Sequence, residues 1–308
     1  MNALVTGGAG FIGSNLVAKL LRTGSRVKVL DNLLSGYECN LEACKEAVLI
    51  RGDVRSKEDV EQAVDGVDVV FHLAASVGNK RSIDDPWRDA EINVMGTIQL
   101  LEAARRAGVR KFVVSSSAGT YGELQTMPIR ESHPQEPDTP YGVSKLCQEK
   151  DCLVYAKLYG MEAICLRYFN VYGPNQRFDA YGNVIPIFVF QALRGEPLTI
   201  YGDGEQTRDF VSVHDVVSAN VRAAEVHGVS GAFNIASGTR ISINALVEML
   251  RSAGLEFDVA HGHPRAGDVR DSLADIGAAK LAFGYQPAIP IQEGLAEYVR
   301  WARAEAAV

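Results

Sequence analysis

The sequence predicts an α/β fold built on a doubly wound parallel sheet, and three observations carry that prediction. Short apolar runs rich in β-branched residues recur through the first half. Helical stretches separate them, and a glycine-rich turn joins the first run to the first helix. Continuous apolar runs suit strands buried on both faces of a parallel sheet, and alternating β and α units are how such a sheet is wound. The strands are expected at 3–6, 27–30, 48–50, 67–73 and 111–115, with helices at 12–22, 57–64 and 90–107. In the last helix Ile92, Met95, Ile98, Leu101 and Ala104 follow one stripe, and Gly108 is placed to end it.

The second half is less regular. A helix over 141–159 runs into Gly160, a strand over 163–167 follows, and 173–182 is turn-rich, with Pro174, Asn175 and Asp179. Further helices are expected at 184–194, 213–226, 243–252 and 291–306. No repeat, low-complexity tract or linker interrupts the chain. At 308 residues the length fits one large or two modest domains. We expect a dinucleotide-binding domain at 1–168 and a smaller α/β substrate domain at 169–308, the chain crossing back to the first within about 205–240.

Composition narrows the function. Thirty-one basic and 38 acidic residues give a net charge of −7 without long blocks, so the basic stripe of a nucleic-acid binder is absent. Five cysteines, at 39, 44, 147, 152 and 165, are an odd number in a long chain and read as thiols of a reducing compartment. The start, Met1 to Thr6, carries no basic segment, and no apolar run approaches the roughly 20 residues of a membrane span. A soluble cytoplasmic protein is expected.

Thr6-Gly7-Gly8-Ala9-Gly10-Phe11-Ile12-Gly13 follows the first strand and opens the first helix. Gly7, Gly10 and Gly13 permit a tight turn, close approach to a pyrophosphate, and helix-on-strand packing. The helix N-terminus offers free N–H groups and a positive dipole end to phosphates. Asp31 stands at the end of the second strand, 21 residues after Gly10. Its carboxylate suits the adenosine ribose hydroxyls and repels a 2′-phosphate, which favours NAD over NADP. A plain glycine turn closing a βα unit is the alternative, and the strand, the helix and the acid together weigh against it.

Tyr141-Gly142-Val143-Ser144-Lys145 begins a helix behind Pro140. A spacing of four puts phenol and ammonium on one face, where a cation favours the phenolate. Tyr141 is then a candidate acid/base. Ser115-Ser116-Ser117 ends the fifth strand, at the sheet edge where open α/β folds bind ligands. A surface tyrosine lying over a lysine stem is the ordinary explanation of such a pair, less apt beside this loop and these serines.

These residues resemble the extended short-chain dehydrogenase/reductases, and within them the nucleotide-sugar epimerases of the UDP-glucose (UDP-galactose) 4-epimerase type. The resemblance covers nearly the whole chain. It rests on Thr6 to Gly13, Asp31-Asn32-Leu33 with Ser35-Gly36, Gly52-Asp53-Val54 and His72-Leu73-Ala74-Ala75. It continues with Asn93 to Thr97, Ser115 to Ser117, Tyr121-Gly122, Tyr141 with Lys145, Arg167 to Pro174, Arg208 to Val211 and Gly267 to Arg270. The resemblance implies that Phe11 and Ile12 sit on the pyrophosphate, Asp31 on the ribose, and Asp53 and Val54 beside adenine. Asn32, Ser35, Gly36, Leu73, Ala74, Ala75, Asn93, Ser115, Tyr168 and Phe169 complete the NAD site. Ser117 holds the sugar hydroxyl being oxidised, Tyr141 takes its proton, and Lys145 holds the nicotinamide ribose. Asn170 and Arg208 meet the sugar-nucleotide diphosphate; the guanidinium fork of Arg208 also matches phosphate on its own chemistry. Asn183, Val184, Thr199 and Tyr201 surround uracil and its ribose, and Arg265 and Asp268 close that end. A homodimer, pairing the 90–107 and 141–159 helices across a four-helix bundle, is implied in the same way.

The related 4,6-dehydratases carry an Asp-Glu pair after the catalytic Ser or Thr, and decarboxylase-type relatives keep a glutamate there. This chain has Ala118 and Gly119, which transfer no proton. Redox at C4 remains, and C4 epimerisation of a UDP-hexose, plain or N-acetylated, needs nothing more. A UDP-glucuronate 4-epimerase or another sugar-nucleotide epimerase or reductase of the family is the alternative; Asn170 weighs against the first and Asp31 against an NADPH reductase. An NAD-binding sensor or scaffold is a further one, and it would usually have lost Ser117, Tyr141 or Lys145. Ser272 matches the family position that gates the sugar's C2 substituent, where a small residue leaves room for an N-acetyl group. An ordinary loop serine is the other reading. His261-Gly262-His263 lacks partners for a metal, and none is expected. Cys147 and Cys152, five apart, read as packing residues.

Overall fold

The computed structural model describes residues 1–179, 182–264 and 269–307. The first part runs β1 (Asn2–Thr6), α1 (Phe11–Arg22), β2 (Arg26–Asp31), β3 (Val48–Arg51), α2 (Lys57–Val64) and β4 (Val69–His72). It continues through α3 (Asn79–Asp84), α4 (Pro86–Ala90), α5 (Gly96–Arg106), β5 (Lys111–Ser117), α6 (Pro140–Tyr159) and β6 (Glu162–Tyr168). Then come β7 (Asn170–Tyr172), α7 (Val184–Leu193), β8 (Leu198–Tyr201), β9 (Thr207–Arg208), β10 (Phe210–Ser212), α8 (Val213–Glu225) and β11 (Gly231–Ile235). Last are β12 (Ile241–Ser242), α9 (Ile243–Ser252), β13 (Val259–Gly262), α10 (Gly277–Phe283) and α11 (Ile291–Ala306).

Seven strands form one parallel sheet in the order β11-β6-β5-β4-β1-β2-β3. The strand order reverses between β1 and β4, so the chain ends of β1, β4 and β5 open onto one crevice, the place where such sheets bind ligands. Apolar side chains cover both faces. Leu16, Val17 and Leu20 of α1 pack with Val216 and Val217 of α8 on one face. Val60, Leu100, Leu101 and Cys152 of α2, α5 and α6 pack on the other. A separate cluster gathers Ile185, Phe188 and Val189 of α7 with Leu246, Leu250, Leu295 and Tyr298 of α9 and α11.

All five strands and the helices expected in the first half are present, with one difference. The stripe read as a single helix over 90–107 begins at Pro86, behind an Asp85 cap on Arg88 N (3.0 Å), and widens to a π turn over Glu91–Met95. That turn carries the buried Asn93 inward, against what a purely apolar stripe implied. In the second half the short strands β7 to β13 were not legible. β11 joins the main sheet, yet it starts at a glycine and buries Asn234 at mid-strand. Among the described residues no helix is long and apolar enough to cross a membrane, and the five cysteines are free thiols.

Candidate active site

The glycine loop is fixed by what its neighbours leave room for. A Cβ on Gly13 would lie 2.1 Å from the carbonyl oxygen of Gly7. Gly7 has φ +67°, and a Cβ there would lie 2.7 Å from Ala74 N. The loop therefore closes on itself only with glycine at both positions. Helix α1 starts at Gly10 with no side-chain cap and no acidic residue in its first turn. Its N-terminal N–H groups and dipole end are turned to the crevice for an anion.

Asp31 is buried, and its two oxygens accept from Ala9 N (2.9 Å) and Leu33 N (2.8 Å). It organises the loop as well as presenting a carboxylate to it. The 32–37 segment folds back over the glycine loop, with Tyr37 N donating to Ala9 O (3.0 Å) and Gly36 packed on Ala9; Ser35 is exposed on it. Asn32 donates to Asp53 (2.8 Å), which also holds Arg55, and the Arg55 guanidinium keeps the Asp53 carboxyl low, at about 2. Val54 is buried against Gly96. Leu73 N and Ala74 N donate to Thr6 O (3.1 Å) and Thr6 Oγ1 (3.2 Å), so 73–75 runs along the loop. These residues fit a dinucleotide lying along the ends of β1, β2 and β4.

The chemical groups stand at the end of β5. Ser117 Oγ accepts from Gly119 N (3.0 Å), which leaves its own hydrogen free to turn toward the Tyr141 phenol, whose titration Ser117 pulls down. Helix α6 is launched by Thr139, whose Oγ1 accepts from Gly142 N (3.2 Å), and by Pro140 in its first turn. That start sets Tyr141 over Ser117 and, one turn on, Lys145 beneath it. Lys145 is buried, with Nζ donating to Ser115 O (2.8 Å) and Gln148 Oε1 (3.0 Å). Burial pulls its ammonium down to about 8, against the upward pull of Asp89.

One expectation is corrected here. Lys145 does not by itself draw the Tyr141 phenol down. Its Nζ is 6.0 Å from the ring centroid and turned to Ser115 and Gln148. Burial dominates and pushes the phenol up to about 12, Asp89 adds to this, and the Ser117 hydrogen bond works the other way.

Other expected contacts are redistributed. The Asn93 amide nitrogen lies within 3.1 Å of Ser76 O, Asp89 Oδ1 and Ser144 Oγ, and its oxygen accepts from Ser76 N. Its side chain is thus spent on holding the 76 loop to α4 and α6. Ser115 Oγ donates to His72 O (3.1 Å) and ties β5 to β4. The Tyr168 hydroxyl is paired with Asn220 in the core, and Phe169 is buried with Tyr121 and Ala236, so neither ring faces the crevice freely.

On the substrate side, Asp209 joins the expected residues. Its buried carboxylate accepts from Ser237 N (2.8 Å), Ser237 Oγ (2.6 Å), Gly238 N (3.1 Å) and Ala274 N (3.2 Å), and burial raises it to about 6. Its backbone oxygen accepts from Asn170 Nδ2 (3.1 Å). Asn170, Arg208 and the segment carrying the buried Ser272 therefore converge on this one residue. Asn183 precedes Val184 at the N-terminus of α7 without a side-chain cap. Thr199 and Tyr201 lie on β8, and Tyr201 lines a cleft of about 740 Å³ with Asp203, Gln206, His261 and Arg270. Arg265 and Asp268 lie outside the described residues. Sequence reasoning missed Asp89, Gln148, Glu149 and Asp209 as parts of the site. Their common signal is a charged or amide group within a segment that is otherwise buried.

The sheet-edge cradle and the Ser–Tyr–Lys cluster beyond it are the arrangement of a nicotinamide-dependent enzyme of the short-chain dehydrogenase type. The chain belongs to the NAD dependent epimerase/dehydratase family, whose model matches residues 3–236. NAD is the cofactor of that family, as the glycine loop and Asp31 led us to expect. A UDP-glucose 4-epimerase of Mycolicibacterium smegmatis is 40% identical over 314 residues, covering 98% of this chain and 99% of its own. The structure of UDP-glucose 4-epimerase with UDP-glucose from Thermotoga maritima superposes with a TM-score of 0.94 at 40% identity, covering 99% of this chain and 100% of that one. The UDP-N-acetylglucosamine 4-epimerase of Methanobrevibacter ruminantium, in complex with UDP-N-acetylmuramic acid, gives 0.94 at 36% identity, covering 99% of this chain and 98% of that one.

Proposed function

We propose that this chain is an NAD-dependent epimerase that inverts C4 of a UDP-hexose through a transient 4-keto sugar. The observation that carries the reading is the Ser117–Tyr141–Lys145 cluster followed by Ala118 and Gly119. With Ala118 and Gly119 at the two positions after Ser117, the cluster has the groups for redox at one carbon and no acid or base at those positions for eliminating water.

In this reading Ser117 hydrogen-bonds and orients the C4 hydroxyl, and Tyr141 takes its proton. NAD, when bound, would supply the hydride acceptor and a positive charge. Lys145 holds the cofactor ribose and keeps positive charge under Tyr141. After the 4-keto sugar turns over, Tyr141 returns the proton as the hydride returns to the other face. A protonated phenol at neutral pH suits this second half, and general acid–base chemistry requires the same residue to serve in both directions.

The remaining roles belong to the same proposal. Gly7, Gly10, Phe11, Ile12 and Gly13 hold the pyrophosphate, Asp31 the ribose, and Asp53 and Val54 flank adenine, with Asn32, Ser35 and Gly36 closing over it. Asn170 and Arg208 take the substrate diphosphate, Asn183, Val184, Thr199 and Tyr201 the uridine, with Arg265 and Asp268 beyond. Residues 1–168 form the cofactor domain and 169–308 the substrate domain, α8 and β11 returning to the first. A homodimer through the 90–107 and 141–159 helices is supported by the apolar residues exposed on them, Met95, Val143, Val154 and Leu158, and we place the enzyme in the cytoplasm. Incubation with UDP-glucose, UDP-N-acetylglucosamine and UDP-glucuronate, with the 4-epimers resolved, tests the substrate class: turnover of the glucuronate alone would overturn the UDP-hexose reading.

Ser272 gives a test of substrate width. Ser272 is buried; in this reading it stands where a bulky residue would crowd the sugar, and the serine leaves space for an N-acetyl group. Ser272→Tyr is expected to suppress turnover of UDP-N-acetylglucosamine while largely sparing UDP-glucose, because steric exclusion acts on the larger substrate. Comparing kcat/KM on the two sugars checks this; no loss on either would mean that Ser272 does not face the sugar.

A further inference from the structure

Behind the catalytic lysine runs a buried chain of polar side chains whose hydrogen positions are fixed by counting. Thr97 Oγ1 donates its one hydrogen to Asn93 O (2.6 Å). Gln148 Nε2 (2.8 Å) and His72 Nε2 (2.9 Å) must then both donate to Thr97 Oγ1. His72 therefore carries hydrogen on Nε2, and because burial and the Lys145 charge keep the ring neutral, its Nδ1 accepts from Thr6 Oγ1 (2.7 Å). Thr6 Oγ1 in turn accepts from Ala74 N (3.2 Å). With Gln148 Nε2 spent on Thr97, Gln148 Oε1 is locked toward Lys145, where it accepts from Nζ (3.0 Å). His72, Thr97, Gln148 and Lys145 are all buried, so a dipole turned the wrong way here has no water to compensate it.

We propose that Gln148 is a positioning residue for Lys145. Its amide carbonyl, held by Thr97 and His72 from the head of the glycine loop, aims the ammonium and sustains its charge. The inference rests on reading Tyr141 and Lys145 as the catalytic pair. An ammonium has three hydrogens; Ser115 O and Gln148 Oε1 take two, leaving the third for the crevice. The groups that face Lys145 are Asp89 of α4, Glu149, Cys152 and Tyr141 of its own helix, and His72 of β4. Burial and the Lys145 charge hold His72 neutral, at about 3, so it adds no positive charge beside the lysine. Asp89 and Glu149 support the ammonium through space, and Gln148 is the side chain that touches it.

The test separates positioning from turnover. Gln148→Met keeps the volume and removes the acceptor; Gln148→Glu keeps an acceptor oxygen, replaces the donor to Thr97 with a second acceptor and adds a negative charge. The Nζ resonance of Lys145, followed by ¹⁵N NMR in lysine-labelled protein and assigned with Lys145→Met, reports its titration without any substrate. Gln148→Met is expected to titrate Lys145 below the wild-type value of about 8 and to lower kcat about ten- to hundredfold, the effect of one hydrogen bond to a charged group, with KM little changed. Gln148→Glu is expected to titrate it above wild type and to recover most of kcat. Should Gln148→Met not fold, Gln148→Leu, which also removes the acceptor, is read by the same titration and kcat in its place. An unchanged Lys145 titration in both variants, or equal loss of kcat in both without a shift, overturns the proposal. The predicted shifts in a protein that epimerises no UDP-sugar would support the positioning role and overturn the epimerase reading instead.

Discussion

Tyr141→Phe is expected to fold, to bind NAD, and to lose kcat by about 10²–10⁴-fold, the usual worth of a positioned general acid–base. The variant removes one oxygen. The ring stays in place over Ser117, and the Lys145 contacts with Ser115 and Gln148 do not involve the phenol. The lost oxygen is the only group of the cluster able both to take the proton of the substrate hydroxyl and to return it. Because the phenol is held at about 12 by burial, kcat of the wild type should rise on the acid side as pH brings the phenolate within reach. It should level off near pH 8, where loss of the Lys145 charge offsets the further gain of phenolate. The variant should show residual turnover without that rise. A Tyr141→Phe enzyme with near-wild-type kcat would remove Tyr141 from the chemistry.

Glu149→Met is expected to cost about 3–5 kcal/mol of folding stability, the penalty for a buried charge stripped of its partner. Arg167 and Glu149 meet at 2.8 and 2.9 Å with side-chain exposures of 4% and 1%. Around them Ser116 Oγ and Gln135 Nε2 (3.2 Å) donate to Glu149, and Arg167 donates to the Tyr121 hydroxyl (2.8 Å), which donates to Asn234 (2.6 Å). The network clamps the ends of β5, β6 and β11, next to Ser117. The double variant Glu149→Met/Arg167→Met should recover most of the loss, since a buried ion pair and apolar groups of similar volume are often close in energy. Urea unfolding of the three proteins reads both numbers. A single-variant loss below about 1 kcal/mol would mean that water reaches Arg167.

The legible parts of this molecule were those written in local chemistry. β1, the glycine loop and α1 could be read because glycine at 7, 10 and 13 has no other use so close to a strand. Tyr141 and Lys145 could be read because a helix start at Pro140 converts their spacing into a shared face. What stayed hidden depends on pairing across distance. β7 to β10 and β12 are two to four residues long, too short for a period, and form only because other segments lie alongside. Gln148 and Asp209 look like ordinary polar residues until the fold buries them against Lys145 and Asn170. The π turn at Glu91–Met95 was masked by a stripe of apolar residues that fits an unbroken helix nearly as well. The shared helix face of Tyr141 and Lys145 was legible, but the upward push on the phenol was not, because burial is a property of the whole fold.

The central claim is that C4 is inverted by removing a hydride and returning it to the same sugar. Its most direct test is epimerisation of UDP-glucose by the purified protein in D₂O with trace NAD, following both hydrogen at C4 by NMR and NADH by absorbance. The account predicts that the 4-epimer accumulates to equilibrium with protium retained at C4, and that NADH never exceeds the enzyme concentration. Deuterium at C4, or NADH rising in step with product, would contradict it.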